Sequence, residues 1–367
     1  MKWSWKIGEF AGIGVYMHAT FLLLIGWVAL SYWLQEGTLA AVVSGVAFIL
    51  ALFATVVMHE YGHALTARKY GIKTRDITLL PIGGVARLER MPDQPLQEFW
   101  VALAGPAVNV VIAVLLFVWL WLTGGFEPLT QLSVTSGSFL ERLMVVNLFL
   151  VGFNLIPAFP MDGGRVLRAL LAMRLEYTQA THIAASIGQG LAFLFGFIGL
   201  FSNPMLVFVA IFVWIGAAQE ASMTQMKSAL GGIPVSRAML TDFRTLSTHD
   251  TLARAVELVL AGSQHDFPVL ANGQVVGVLT RGDLFSALAR QGQAAPVTDI
   301  MRQDFVVVDS YDMLETAFLR LQECGCPILP VVRNGQLVGL VTMENVGEFI
   351  KIQAALGTAR KVVPATL

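Results

Sequence analysis

The stretch "ATVVMHEYGHAL", residues 54–65, sets two histidines and a glutamate at the end of a long run of Ala, Val, Leu and Phe. Ionisable side chains inside an apolar helix are costly and are generally kept for a function. What surrounds the stretch supports that setting. Of 367 residues, 56% are hydrophobic and 13% charged, against roughly 45–50% and 25% in soluble domains. The mean hydropathy is +0.67. Apolar residues form blocks of membrane length up to about residue 222, whereas residues 233–352 carry regularly spaced charges. A membrane domain followed by a soluble one is expected. The net charge of −1 leaves no basic footprint for nucleic acid. The entry "MKWSWKIGEFAGIGVYMH" has no A-x-A site, so no cleavable signal peptide is expected. The two cysteines, Cys324 and Cys326, give no disulfide framework and a weak metal signal, and are expected to be incidental thiols.

A membrane-spanning helix needs about 20 mostly apolar residues. The expected spans are 19–35, 39–66, 97–123, 139–157, 179–201 and 204–222. Lys2 and Lys6 precede the first; Arg68, Lys69, Lys73, Arg75, Arg87 and Arg90 follow the second. Arg165, Arg168 and Arg174 follow the fourth and Lys227 the sixth, while the alternate loops offer essentially Arg142 alone. The positive-inside bias therefore predicts that both termini are cytoplasmic in a multi-pass protein of the cell membrane. His59 lies nine residues before Arg68, about 14 Å below the cytoplasmic surface at ~1.5 Å per helical residue.

Histidines at i and i+4 share a helical face, so His59 and His63 can direct ring nitrogens at one ion. Glu60 beside it suits a general base acting on a polarised water. A catalytic zinc takes three protein ligands as a rule. The fourth span ends "VGFNLIPAFPMDGGRVLRA", which offers Asp162 at matching depth. Pro157 and Pro160 must interrupt the helix there. Broken backbone at membrane depth survives where it is buried in protein or lines a wet cavity.

These motifs resemble the site-2 protease family, zinc metalloproteases that cut the transmembrane segments of other proteins. They read His59-Glu60-Tyr61-Gly62-His63 and Asn154-Leu155-Ile156-Pro157 through Asp162-Gly163. A G-x-x-x-N element, Gly105 to Asn109, and the paired glycines of "LLPIGGVARLE" accompany them, so the resemblance spans roughly residues 7–222. It implies that His59, His63 and Asp162 bind one Zn2+ per chain, that Glu60 is the general base, and that Asn154 assists the oxyanion. Asn109 is expected to brace the close helix contact that Gly105 and Ala107 allow. The segment "DITLLPIGGVARLE", 76–89, is read as a strand whose free edge pairs with unwound substrate, with residues 6–18 as its partner in a small interfacial sheet. The rival is a hairpin that merely shields the site. His18 and His182 are left as interfacial polar residues.

The soluble part repeats at a spacing of 62: "FPVLANGQVVGVLTRGDL" answers "LPVVRNGQLVGLVTMENV". It resembles a cystathionine-β-synthase (CBS) domain pair, a regulatory module that commonly binds adenine nucleotides and dimerises. The matching element holds Thr280 and Asp283 in the first repeat, and Thr342 and Asn345 in the second. The resemblance implies ATP or another adenine nucleotide at these residues, with the second site in doubt because Asn345 stands where the family has an acid. The expected organisation is a mainly α polytopic membrane domain, 1–222, with about six transmembrane helices and a small interfacial β element. A linker, 223–234, leads to a soluble α/β tandem CBS domain (235–291 and 296–352) and a C-terminal tail, 353–367.

The expected function is an intramembrane zinc endopeptidase acting on membrane-anchored regulatory proteins near the cytoplasmic face of the bilayer. Its CBS pair is expected to regulate it by nucleotide binding or by forming a homodimer. The alternative is a CBS-regulated membrane transporter, which should show related halves and polar residues spread along a path. Here the ionisable residues cluster at one depth.

Overall fold

A computed structural model of the chain describes residues 3–92, 94–124 and 137–362, without side chains at 354 and 356–362. Lys2 and the end of the tail, 363–367, lie outside the described residues. The chain divides into two compact units, Met1–Thr224 and Gln225–Leu367.

The first unit opens with β1 (Ser4–Phe10), β2 (Ile13–His18), α1 (Thr20–Glu36), α2 (Leu39–Lys69), β3 (Thr74–Leu80) and β4 (Gly83–Leu88). It continues with α3 (Pro95–Leu122), α4 (Phe139–Asn154), α5 (Asp162–Ala172), α6 (Tyr177–Phe201) and α7 (Pro204–Leu230), whose last residues, from Gln225, belong to the second unit. Helix α2 starts at Thr38, whose hydroxyl accepts from the Ala41 N–H, and ends on Arg68 and Lys69, cations suited to a helix C-terminus. Helix α3 begins with Pro95, whose missing N–H costs nothing in a first turn. Helix α4 is opened by a capping box between Ser138 and Glu141.

Among the described residues, α2, α3, α6 and α7 are long and apolar enough to cross a bilayer, with mean hydropathy over an 18-residue stretch of 2.5, 2.5, 1.8 and 1.7. Helices α1 and α4 have 17 and 16 residues, lengths of about 26 and 24 Å against a hydrocarbon core of ~30 Å. The six expected spans thus map onto six helices of unequal reach. Residues 223–230 of the expected linker form the last turns of α7.

The four strands form one sheet in the order β1-β2-β3-β4, with β2 and β3 parallel and the outer pairs antiparallel. The stretch 76–89 is therefore a hairpin rather than one strand. It turns at Pro81 and Ile82, and Gly83 takes φ of +139°, open to glycine alone. Its second strand, β4, is the free edge.

In the second unit each repeat gives a short strand, a helix, a hairpin and a helix. The first is β5 (Leu246–Ser247), α8 (Leu252–Ala261), β6 (Phe267–Ala271), β7 (Gln274–Leu279) and α9 (Arg281–Gln291). The second is β8 (Val308–Asp309), α10 (Leu314–Cys324), β9 (Ile328–Arg333), β10 (Gln336–Thr342) and α11 (Met343–Val362). Both hairpins turn on Asn-Gly with φ positive at Asn272, Gly273, Asn334 and Gly335, as a type I′ turn requires. The lead-in of each repeat pairs with the other's sheet: Leu240 bridges Leu340, and Arg302 bridges Val278. The repeats therefore complete one another's cores, as their tandem occurrence suggested. Cys324 and Cys326 depart from expectation. They are joined in a disulfide, because Gly325 at φ +59° turns the chain and brings the two Cα atoms to 5.1 Å.

Phe267 is fully buried beside Leu246, Leu252 and Leu279 in the core of the first repeat. Phe267→Ala is expected to destabilise this unit by about 3–5 kcal/mol. Urea unfolding of the full-length protein, followed on the soluble unit, measures it.

Candidate metal centre

Helix α2 presents His59 and His63 one turn apart, and their Nε2 atoms stand 3.1 Å from each other. Each lies 3.2 Å from Asp162 Oδ2. The three residues are buried, and they are the one group of three potential metal ligands found among the described residues. Donors bound tetrahedrally at ~2.0–2.1 Å stand about 3.3–3.4 Å apart. Two imidazole nitrogens and one carboxylate oxygen at 3.1–3.2 Å therefore fit a single zinc ion.

The far side of each ring fixes which nitrogen faces the centre. His63 Nδ1 lies 2.7 Å from the Val101 carbonyl, which can only accept, so the ring donates there and leaves Nε2 with its lone pair. His59 Nδ1 faces Asn109 Oδ1 at 3.1 Å in the same sense. Asn109 thus does more than brace a helix contact. Gly105 lies between these two supports on α3, and a Cβ there would run into both imidazoles. Gly62 makes the matching allowance on α2, where a Cβ would come 2.7 Å from the Ala104 carbonyl oxygen.

Asp162 arrives by another route. Helix α4 ends at Asn154, the chain runs irregularly through Pro157 and Pro160, and α5 starts at Asp162. Gly163 and Gly164 lie directly against the backbone of residues 155–159, and a Cβ on Gly164 would stand 2.6 Å from the Ala158 carbonyl carbon. The proline break expected from the sequence is what turns Asp162 toward the histidines.

A cleft of ≈ 360 Å³ opens onto the centre, lined by His59, Glu60, His63, Asn154, Asp162 and the β4 residues Gly83 to Ala86, among others. Glu60 is half-buried, and its Oε2 accepts from the Ala86 N–H at 3.1 Å. The paired glycines make that approach feasible: a Cβ on Gly84 would stand 2.9 Å from Glu60 Cγ. Asn154 lines the same cleft from the end of α4. His18, whose Nδ1 faces the Thr20 hydroxyl at 2.9 Å, and His182 are not among the lining residues.

In the second unit Thr280 caps α9, accepting the Asp283 N–H at 3.2 Å and donating to Asp283 Oδ2 at 2.6 Å. Asp283 also forms a fork with Arg302, at 2.6 and 3.0 Å. The Arg302 guanidinium holds its carboxyl below the ordinary range. Thr342 accepts the Asn345 N–H at 3.0 Å, while Asn345 Oδ1 is buried without a partner. The T-x-x-D pattern read as a nucleotide element is thus also a helix cap. Arg302 carried no signal in its own surroundings, but its bridge to Val278 follows from the repeat.

A two-His, one-Asp centre with a glutamate at its side, held by hydrophobic helices, defines a membrane-embedded metalloprotease. Peptidase family M50 matches residues 47–136 and 129–196, and the CBS domain matches 235–290 and 297–351. A zinc metalloprotease of Methanocaldococcus jannaschii is 33% identical over 348 residues, 94% of this chain and 96% of that one. Stage IV sporulation protein FB of Bacillus subtilis is 29% identical over 160 residues, 43% of this chain and 52% of its own. The solved site-2 protease from M. jannaschii shares 38% identity, covering 60% of this chain and 95% of that chain, with a TM-score of 0.44. The chain belongs to peptidase family M50, as an intramembrane zinc metalloprotease carrying a CBS pair. These findings do not favour the transporter alternative.

Asn109→Leu removes the acceptor behind His59 without adding bulk toward the ion. Loss of such a support generally lowers metal affinity about 10–100-fold. Zinc competition against a chelator, on protein of unchanged helicity, is expected to show that fall.

Proposed function

We propose that the protein cuts the transmembrane segments of membrane-anchored regulatory proteins, near the cytoplasmic face, at the His59–His63–Asp162 centre. The observation that carries this reading is the convergence of three ligand atoms within 3.2 Å at one end of a cleft that Glu60 also lines. His59, His63 and Asp162 would hold a zinc ion, which would supply Lewis acidity for a peptide carbonyl and for water. Glu60 takes the proton of the attacking water and returns it to the leaving amine. Asn154 donates its amide to the carbonyl oxygen as negative charge gathers there. Apart from the Ala86 N–H, which donates to Glu60, the edge of β4 offers backbone partners to a substrate segment that has lost its helical hydrogen bonds. The Lys/Arg bias supports cytoplasmic termini, which sets the CBS pair in the cytoplasm.

Glu60→Gln keeps the shape of the side chain and removes the base. Wild type in liposomes is expected to cleave a single-span protein substrate, and the variant to fall at least about 10²-fold with zinc retained, the lower range for general-base loss. Equal rates at equal zinc content would remove Glu60 from this role.

Adenine nucleotide at Thr280 and Asp283, and homodimerisation through the CBS pair, complete the proposal. Thr342 and Asn345 form the second, weaker candidate. Asp283→Ala is expected to weaken ATP binding to the full-length protein at least about tenfold, the loss of a charge-assisted hydrogen bond, as read by titration calorimetry. Because Arg302 depresses the Asp283 pKa, the ion pair is present above the ordinary carboxylate range and is lost as pH falls through the lowered value. The contribution of Asp283 to ATP binding is therefore expected to be flat between about pH 5.5 and 8. A fall in that interval would assign the contact to another group.

A further inference from the structure

A guanidinium lines the catalytic cleft beside Asp162, with one of its donors unpaired among the described residues. Arg165 lies on α5 three residues after Asp162, one turn along the same face. It lines the cleft together with His59, Glu60, Asn154 and Asp162. Its Nε is buried and has no hydrogen-bond partner. Arg168, three residues further on, is the contrast: its Nε donates to Glu98 Oε1 at 2.8 Å, and its terminal nitrogens reach Glu98 and Glu220. A buried donor left unpaired is costly, and a guanidinium fork matches a carboxylate in two parallel bonds.

The charges in the cleft point the same way. Neutral His59 and His63 with ionised Glu60 and Asp162 carry two negative charges, which one Zn2+ cancels. Arg165 then leaves the cleft cationic. Hydrolysis adds water across the peptide bond: oxygen joins the carbonyl carbon, the C–N bond breaks, and protons pass to the leaving amine. The acyl fragment ends as a carboxylate, the one new anion of the reaction.

We propose that Arg165 is a substrate-contacting residue that binds the carboxylate of the N-terminal fragment, and so the carbonyl side of the cut as it gains negative charge. The inference rests on placing the reaction at the His59–His63–Asp162 centre. That placement is judged by cleavage in Glu60→Gln, independently of the binding measurement that tests Arg165. The rival role is charge balance for the neighbouring cluster of Glu98, Arg168 and Glu220, which carries one net negative charge.

Calorimetric titration of the zinc-loaded full-length protein with an apolar pentapeptide ending in a free carboxylate, and with its C-terminal amide, separates the two. Wild type is expected to prefer the carboxylate. Arg165→Gln is expected to reduce that preference at least about tenfold at unchanged zinc content, the loss of hydrogen bonds to a charged group, with Arg165→Lys between the two. A preference in Arg165→Gln within about twofold of wild type, or none in wild type, overturns the proposal. If Arg165→Gln fails to fold or loses zinc, Arg165→Lys decides. Charge balance alone predicts the wild-type preference, because Lys keeps the charge, and that result overturns the proposal. A fall of about threefold or more follows from loss of the fork and supports it.

Discussion

The centre depends on how closely α3 lies against α2. Val101, Gly105 and Asn109 recur every fourth residue and so form one stripe along α3. That stripe meets His63 and His59 in antiparallel order, with Val101 behind His63 and Asn109 behind His59. Gly105 has no side chain, so the helix backbone can sit where both rings need it. In an apolar surrounding few acceptors exist for a ring N–H, and an unsatisfied one costs about as much as the hydrogen bond it lacks. The helix contact therefore decides the tautomer of both histidines. A side chain at position 105 would push α3 off and take both acceptors with it.

The same helix holds the third ligand in place. Helix α5 has 11 residues, too few to be stable by propensity alone. Two glycines seat its first turn against the irregular chain before it, and Arg168 secures its middle to Glu98 on α3 and Glu220 on α7. The Arg168 guanidinium also lies 5.0 Å over the rings of Phe159 and Tyr177. Removing one member of a buried ion pair strands the other, at about 3–5 kcal/mol. The cluster thus makes the position of Asp162 a property of several helices rather than of one turn. Glu98 on α3 and the Val101–Asn109 stripe together relate Asp162 to the histidines.

Much of this was legible in the sequence for identifiable reasons. The His59–His63 pair could be read because helical period fixes a shared face, and Asp162 because prolines and glycines at membrane depth demand a purpose. The Asn-Gly turns specified both hairpins of the tail. Other features depend on partners distant in sequence. The stretch 76–89 alternates like a strand, and Pro81 was the cue that it folds back. By sequence Arg165 and Arg168 are interfacial positive charge, whereas Arg168 is the most deeply buried charge in its helix and Arg165 lines the cleft. The Cys324–Cys326 bond depends on the left-handed turn at Gly325, which local composition does not announce.

The two repeats of the tail differ in a correlated way. Adding 62 to a position in the first repeat gives its counterpart in the second, so Asp283 answers Asn345. Leu240 answers Arg302 by the same shift, and each bridges the hairpin of the other repeat at equivalent positions, Leu340 and Val278. One place thus holds an acid and a base that pair, and the other an amide and an aliphatic residue that do not. Changing the acid alone would have left an arginine without its fork; changing the arginine alone would have left a carboxylate without its counter-charge. Neither Asn345 nor Leu240 carries a charge, and the buried Asn345 Oδ1 has no protein partner among the described residues. Any ligand shared by the two places meets a charged acceptor already engaged by Arg302 in one, and a neutral acceptor with no competitor in the other.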